Sequence, residues 1–314
     1  MRLLLIGCTG LVGRGLIPVL QAAGHQLTIV SRGASPSAFP ADIAERLQWI
    51  QLDPADGPNW APSTLLHDAL AASDGVVNLA GEPIAEQRWT VQHLETLESS
   101  RLETTRHLVS ALAKLAKPPS VLVNASAIGY FGTSLDGRFE ESSPVGQDFL
   151  ARLCQKWEQA AAEKPAATRL VVLRIGIVLS SEGGALAKML PVFRAGVGGP
   201  IGSGQQWMSW IERGDLCRII QSSLETDSWS GVINAVAPDP VTMAVFAGSL
   251  GRCLGRPSLL PVPGPMLQLL LGDGSKVVLE GQFVSSSRLD ELGFNFLCPT
   301  LPVALDVATS SSNR

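Results

Sequence analysis

The sequence predicts an α/β fold: a doubly wound parallel sheet with helices on both faces and a smaller mixed domain on the substrate side. Three observations carry that expectation. A glycine-rich turn, Gly7-Cys8-Thr9-Gly10-Leu11-Val12-Gly13, lies between a short apolar run and a helical pattern. Strand-like and helix-like segments then alternate up to about residue 180, which is the pattern of a parallel sheet. After about residue 183 the pattern changes, and Gly and Pro become dense between Gly196 and Gly204.

The elements follow in order. Leu3–Ile6 is an apolar run that ends in glycine, read as the first strand. Leu11–Ala23 has apolar residues at helical spacing and stops at Gly24. Gln26–Val30, Leu47–Leu52 and Gly75–Leu79 are the next three strands. Residues 90–116 read as a long helix closed by Lys117-Pro118-Pro119, and Val121–Asn124 as a fifth strand. Gly146–Glu163 is helical and Leu170–Leu173 is a sixth strand. Two further helical stretches are expected near 213–225 and 242–254, with a proline-rich loop from Pro257 to Pro265. The expected division is a Rossmann-type dinucleotide-binding domain over 1–180 and a substrate-side domain over 181–308. Some elements of the second return to the sheet, and 309–314 is a Ser-rich frayed tail.

Composition narrows the function. The chain is 46% hydrophobic and 17% charged, which supports a well-filled core. A net charge of -4, one Tyr and no basic run argue against a nucleic-acid surface. No apolar run is long enough to span a bilayer, and residues 1–6 are too short for a signal segment. The expectation is a cytoplasmic protein starting at Met1, with no membrane and no nucleic-acid partner. A homodimer is left open. The five cysteines Cys8, Cys154, Cys217, Cys253 and Cys298 are widely spaced, with no CxxC, so neither a disulfide framework nor a zinc site is expected. His25, His67, His93 and His107 are scattered, and no metal is expected.

The GxxGxxG turn has a physical logic. Gly7 permits the tight turn, Gly10 lets backbone approach phosphate, and Gly13 allows close helix–sheet packing. Thr9, Leu11 and Val12 complete the turn, and the helix N-terminus attracts the anion. At the end of the second strand stands Ser31-Arg32 rather than an acidic residue. An Arg there can pair with a 2′-phosphate, which favours NADP over NAD; the alternative is an ordinary solvated Arg. Asp53 could accept from an adenine amino group or simply close an Asx-turn in Asp53-Pro54-Ala55-Asp56.

Thr9-Gly10-Leu11-Val12-Gly13 resembles the TGxxG turn of the extended short-chain dehydrogenase/reductases. Val77-Asn78-Leu79-Ala80-Gly81, Ser126-Ala127-Ile128-Gly129-Tyr130-Phe131-Gly132 and Arg174-Ile175-Gly176-Ile177-Val178-Leu179 resemble that branch's fourth-strand wall, SSxxVYG segment and RxxNVYGP segment. Gly81-Glu82-Pro83-Ile84, Arg88-Trp89, Trp157-Glu158, Gly183-Gly184-Ala185-Leu186, Gly204-Gln205-Gln206-Trp207 and Ser209-Trp210-Ile211 are similar to an atypical NAD-dependent epimerase/dehydratase group. Some members of that group carry the label of SulA-type cell-division inhibitors. The likeness covers nearly the whole chain. It implies that Leu79, Ala80, Gly81, Ala125, Arg174, Ile175 and Gly176 line the cofactor, with Arg101 at the cleft floor or holding an anion.

The resemblance also implies a Tyr and a Lys four residues apart, with a Ser or Thr on the substrate oxygen. Aligned through Gly132 and Glu158, those positions hold Leu150, Cys154 and Ala127. Tyr130, the chain's one Tyr, is then either the acid, assisted by Ser126, or an aromatic packed beside the nicotinamide. Cys154 would need a lowered pKa to act, and no nearby cation is evident in the sequence. Glu82, Lys188, Gln206, Trp207, Ser209 and Trp210 are candidates for the substrate cleft, the two Trp with a core role as the alternative. Glu212 is given no catalytic role. Two functions remain: an NADP-dependent oxidoreductase or epimerase-like enzyme for a small polar metabolite, or a catalytically silent nucleotide-sensing regulator or scaffold, the reading to which the cell-division label belongs.

Overall fold

The computed structural model describes residues 1–33 and 39–310. Seven parallel strands form the central sheet: β1 (Arg2–Ile6), β2 (Gln26–Ser31), β3 (Leu47–Gln51), β4 (Gly75–Asn78), β5 (Val121–Ala127), β6 (Arg169–Ile175) and β7 (Gly231–Ala235). Their order is β7-β6-β5-β4-β1-β2-β3. The strand order reverses between β1 and β4, and at such a switch point the carboxyl ends of the strands open a crevice.

Side-chain alternation explains the two layers. On β1, Leu3 and Leu5 enter one core and Leu4 and Ile6 the other. The first core is closed by α1 (Leu11–Ala22), through Leu16, Ile17 and Leu20, and by Ile219 and Ile220 of the helix Arg213–Glu225. The second is closed by α2 (Leu65–Ala72), through Leu66 and Leu70, and by α3 (Val91–Lys114), through Leu108 and Leu112. Next to α3 lies α4 (Phe149–Ala162). A separate apolar cluster joins Leu186 and Leu190 of α5 (Gly184–Arg194) to Trp210, to Phe246 and Leu250 of the helix Met243–Cys253, and to Leu301 and Leu305 of the helix Leu301–Ser310.

Caps set several boundaries. Thr90 accepts from His93 N and starts α3, and Thr242 accepts from Val245 N and starts the helix Met243–Cys253. Asp148 accepts from Ala151 N and starts α4 at Phe149, three residues later than the glycine at 146 suggests. The sheet gains β7 beyond the six strands expected. The helix Leu301–Ser310 takes in Thr309 and Ser310, expected to fray; Thr309 Oγ1 donates to Leu305 O. Residues 311–314 of that tail lie outside the described residues. Among the described residues no helix is long and apolar enough to cross a membrane.

Candidate functional site

The glycine turn at the end of β1 is built by exclusion on two sides and left open on the third. Gly7 has φ +73°, and a Cβ there would stand 2.5 Å from Ala80 Cα. A Cβ on Gly13 would stand 2.0 Å from Cys8 O. Gly10, the N-cap of α1, is exposed; a Cβ there would meet nothing within 4 Å, and no side chain caps the helix. The first turn of α1 is thus left without a side-chain cap, beside the open space over Gly10 at the positive end of the helix, with Thr9, Leu11 and Val12 half-buried around it. This cradle fits a pyrophosphate.

At the end of β2, Ser31 is buried and its Oγ accepts from Gly33 N at 3.1 Å, which turns the chain. Arg32 projects outward and pairs with Glu82 Oε2 at 3.5 Å. Glu82, a candidate for the substrate cleft, thus reaches toward Arg32. Asp53 Oδ1 accepts from Ala55 N at 2.9 Å and its carbonyl from Asn59 Nδ2 at 2.9 Å, so the Asx-turn is present. Asp53 is exposed beside β3.

Leu79, Ala80 and Gly81 follow β4 and wall the crevice. Behind Gly81 lies Arg101 of α3, so close that a Cβ on Gly81 would stand 2.9 Å from its Cζ. Arg101 is buried, donates to Leu97 O and Glu82 O at 3.0 and 2.9 Å, and lies over the Trp157 ring. Burial pulls its pKa down. It therefore props the wall from behind. A polar network that the sequence reading missed backs the same wall: Asn78 Nδ2 donates to Thr105 Oγ1 and Asn124 Oδ1, and Trp157 Nε1 donates to Thr105 Oγ1. The signal was present in Val77-Asn78 and Val123-Asn124, where an Asn follows an apolar run on each of two strands that pair in register.

Ser126 and Tyr130 lie at the end of β5, and each is engaged by neighbouring side chains. Ser126 Oγ donates to Glu158 Oε1 at 2.6 Å. Arg174, on the neighbouring strand β6, donates to both Glu158 oxygens at 2.8 Å and to Glu141 O at 3.0 Å. The Arg174 Cζ stands 3.4 Å from the centroid of the Tyr130 ring, and Phe131 meets that ring edge-on. Arg174 is 3% exposed, with its nitrogens committed within this cluster, so it anchors the site from inside. Ala125 and Ile175 pack with Leu102, Trp157 and Leu79. Gly176 lets β6 pass Ser209, whose O would be 2.6 Å from a Cβ.

Leu150 and Cys154 face this end of the site from α4; a Cβ on Gly129 would be 3.4 Å from Leu150 Cβ and 4.0 Å from Cys154 Sγ. Cys154 is buried, and desolvation pushes its thiol up to about 11. At pH 8 on the order of one thiol in a thousand is then ionised. Iodoacetamide should leave Cys154 unmodified in the native chain and label it fully in denaturant, read by peptide mass spectrometry; rapid native labelling would show an activated thiol.

The substrate candidates separate. Lys188 is exposed and donates to Ala85 O at 3.2 Å, tying α5 to the loop after β4. Trp207 is half-buried and donates to Leu135 O at 2.7 Å. Gln206 is buried, with Nε2 on Ile201 O and Val278 O. Ser209 is buried, donating to Gln282 O and accepting from Val284 N. Trp210 is fully buried in the separate apolar cluster with Phe246 and Leu250, its Nε1 on Asp239 O. Gln206, Ser209 and Trp210 are thus scaffold where cleft residues were expected. Glu212 caps the helix Arg213–Glu225 through Asp215 N, and burial raises its pKa. A cavity of about 520 Å³ between Arg88, Trp89 and Lys276 was not foreseen. Among the described residues no three His, Cys, Asp or Glu gather as metal ligands would.

Comparison with known proteins agrees with this architecture. Residues 3–235 match the NAD dependent epimerase/dehydratase family, and residues 262–308 match a domain of unknown function, DUF1731. The chain is 41% identical over 300 residues to the chloroplastic epimerase family protein SDR39U1 homolog of Arabidopsis thaliana, covering 92% of this chain and 81% of the relative. It is 40% identical over 309 residues to human epimerase family protein SDR39U1, covering 97% of this chain and 98% of the relative. The crystal structure of human SDR39U1 (isoform 2) with NADPH superimposes with a TM-score of 0.86 at 38% identity, over 99% of both chains.

Proposed function

The chain belongs to the NAD dependent epimerase/dehydratase family, and from that premise we propose that it binds NADP(H) in the crevice at the ends of β1, β2, β4 and β5 and acts as an NADP(H)-dependent oxidoreductase or epimerase-like enzyme on a small polar metabolite. The carrying observation is the open cradle over Gly10 with the outward Arg32 beside it. The NADPH in the human relative's structure supports the same reading. The first-turn N–H groups of α1 would hold the pyrophosphate, Ser31 and Arg32 the 2′-phosphate, and Leu79, Ala80, Gly81 and Ala125 the nicotinamide half. When bound, the nicotinamide supplies or accepts hydride.

The chain's own part in the chemistry is then orientation and proton handling. By the alignment through Gly132 and Glu158, Leu150 and Cys154 fall at the Tyr and Lys positions; Leu150 carries no proton to transfer, and burial keeps the Cys154 thiol un-ionised near pH 7, without the positive charge a Lys would place there. Tyr130 is the remaining phenol at this end of the crevice, its ring fixed by Arg174. The hydrogen bond between Ser126 and Glu158 favours a second reading: a chain that binds nucleotide, is catalytically silent and acts as a sensor. Tyr130→Phe separates the two. An enzyme loses turnover with NADPH affinity intact, whereas a sensor keeps its phenotype. All five cysteines are free thiols, which supports a reducing compartment such as the cytoplasm.

Arg32→Ala tests the cofactor assignment. A charge-assisted contact to a phosphate is worth roughly 1.5–3 kcal/mol, so NADPH should bind about 10- to 100-fold more weakly. NADH binding should change less than about twofold, because a 2′-hydroxyl makes no ionic demand on the guanidinium. Calorimetric titration of both nucleotides decides it; equal losses for NADPH and NADH would refute the role of Arg32.

A further inference from the structure

The Arg32–Glu82 pair lies in a position that its modest length conceals. β2 and β4 are the two neighbours of β1. Strands in a sheet stand about 4.8 Å apart, so the ends of β2 and β4 are about 10 Å apart across β1. Arg32 follows β2 and Glu82 follows the short wall after β4. Their contact at 3.5 Å therefore arches over the end of β1, above the turn that begins at Gly7.

The two partners are held unequally. Glu82 is fixed by its own backbone: its N–H donates to Ser100 Oγ at 3.0 Å and its carbonyl accepts from Arg101 at 2.9 Å. Its side chain is 20% exposed, whereas that of Arg32 is 67% exposed. The carboxylate is a stationary acceptor and the guanidinium is the movable member. A 2′-phosphate approaching Arg32 meets a competitor already in place and gains the guanidinium by drawing it from Glu82.

We propose that Glu82 sets the NADP(H)/NAD(H) balance of this groove by competing with the 2′-phosphate for Arg32. This inference rests on the cofactor site proposed above. A nucleotide with a free 2′-hydroxyl leaves the ion pair closed and incurs no such competition. The carboxylate thereby moderates the preference for the phosphorylated cofactor and leaves NAD(H) a share of the site.

Glu82→Gln tests this, because it removes the charge and keeps the backbone contacts to Ser100 and Arg101. An exposed ion pair of this kind is worth up to about 1 kcal/mol, so NADPH should bind about two- to fivefold more tightly. NADH affinity should stay within about twofold. In an Arg32→Ala background the same substitution should leave NADPH affinity unaltered, since the contested group is gone. Thermal midpoints of the unliganded variants serve as the folding control. If Glu82→Gln leaves NADPH affinity unchanged or weakens it, tightens both nucleotides alike, or acts equally without Arg32, the competition does not exist. A wild-type chain that fails to bind NADPH at all refutes the cofactor site itself, a result distinct from any of these.

Discussion

Gly10→Ala should leave the fold intact and cost NADPH affinity tenfold or more, whereas Gly13→Ala should destabilise the whole chain. The two substitutions add the same methyl group three residues apart, and their surroundings decide the outcome. At Gly10 the φ of -78° suits any residue, and the new Cβ enters space that no protein atom occupies within 4 Å. The native state meets no strain there, but the methyl stands where an anion would approach the helix N-terminus. At Gly13 the new Cβ would lie 2.0 Å from the Cys8 carbonyl oxygen and 2.4 Å from its Cα. Those are backbone atoms with no flexible end to move aside, so β1 and α1 must separate. A clash of this kind costs about 3 kcal/mol or more, which lowers the thermal midpoint by roughly 5 °C in a chain of this size. Differential scanning fluorimetry with and without NADPH reads both effects. Unliganded Gly10→Ala should melt with the wild type and lose the nucleotide-induced shift; Gly13→Ala should melt early in either condition. If Gly10→Ala bound NADPH normally, the cradle would not be the pyrophosphate site.

Features carried by local pattern were legible in the sequence. Leu3-Leu4-Leu5-Ile6 before a glycine turn fixes a strand buried on both faces, and both cores accordingly receive alternate residues of β1. The helix starts expected near 90 and 242 hold, and Thr90 and Thr242 each accept a hydrogen bond from an N–H three residues on; the start expected at Gly146 falls instead at Phe149, after the Asp148 cap. Pairings across the sheet were not legible. Ser126 and Arg174 are partners in register on β5 and β6, 48 positions apart in the chain, and nothing near either residue announces the other. Glu158 gave no sign of joining them. Glu82 and Arg32 meet only because β1 lies between their strands. Ser209 and Trp210 fall in a polar, Trp-rich stretch that reads equally as cleft or core, and only the packing of Phe246 and Leu250 against Trp210 decides for core. The seventh strand, Gly231–Ala235, is five residues among loops and becomes a strand by pairing with β6.

The Glu158 cluster carries the largest expected cost of a single charge change. Arg174 is 3% exposed, and Glu158 is its only carboxylate partner among the described residues; its remaining contacts are a backbone carbonyl and aromatic faces. Glu158→Gln preserves shape but removes the counter-charge, leaving a guanidinium in a site that water barely reaches. Removing one member of a buried pair costs about 3–5 kcal/mol. The chemical-denaturation midpoint should fall accordingly, with the slope of the transition unchanged. Glu158→Met combined with Arg174→Met should recover much of that loss, since two apolar side chains of similar length leave no buried charge. NADPH affinity should change little in either variant, because neither side chain lies along the glycine turn. Such a separation, stability lost and recovered with cofactor affinity constant, would establish the cluster as the rigid support for Ser126 and Tyr130. If Glu158→Gln is as stable as the wild type, Arg174 is not a buried unsupported cation in that variant. Water or a substrate-side group must then reach it, and the site would be more open to ligand than its 3% exposure indicates.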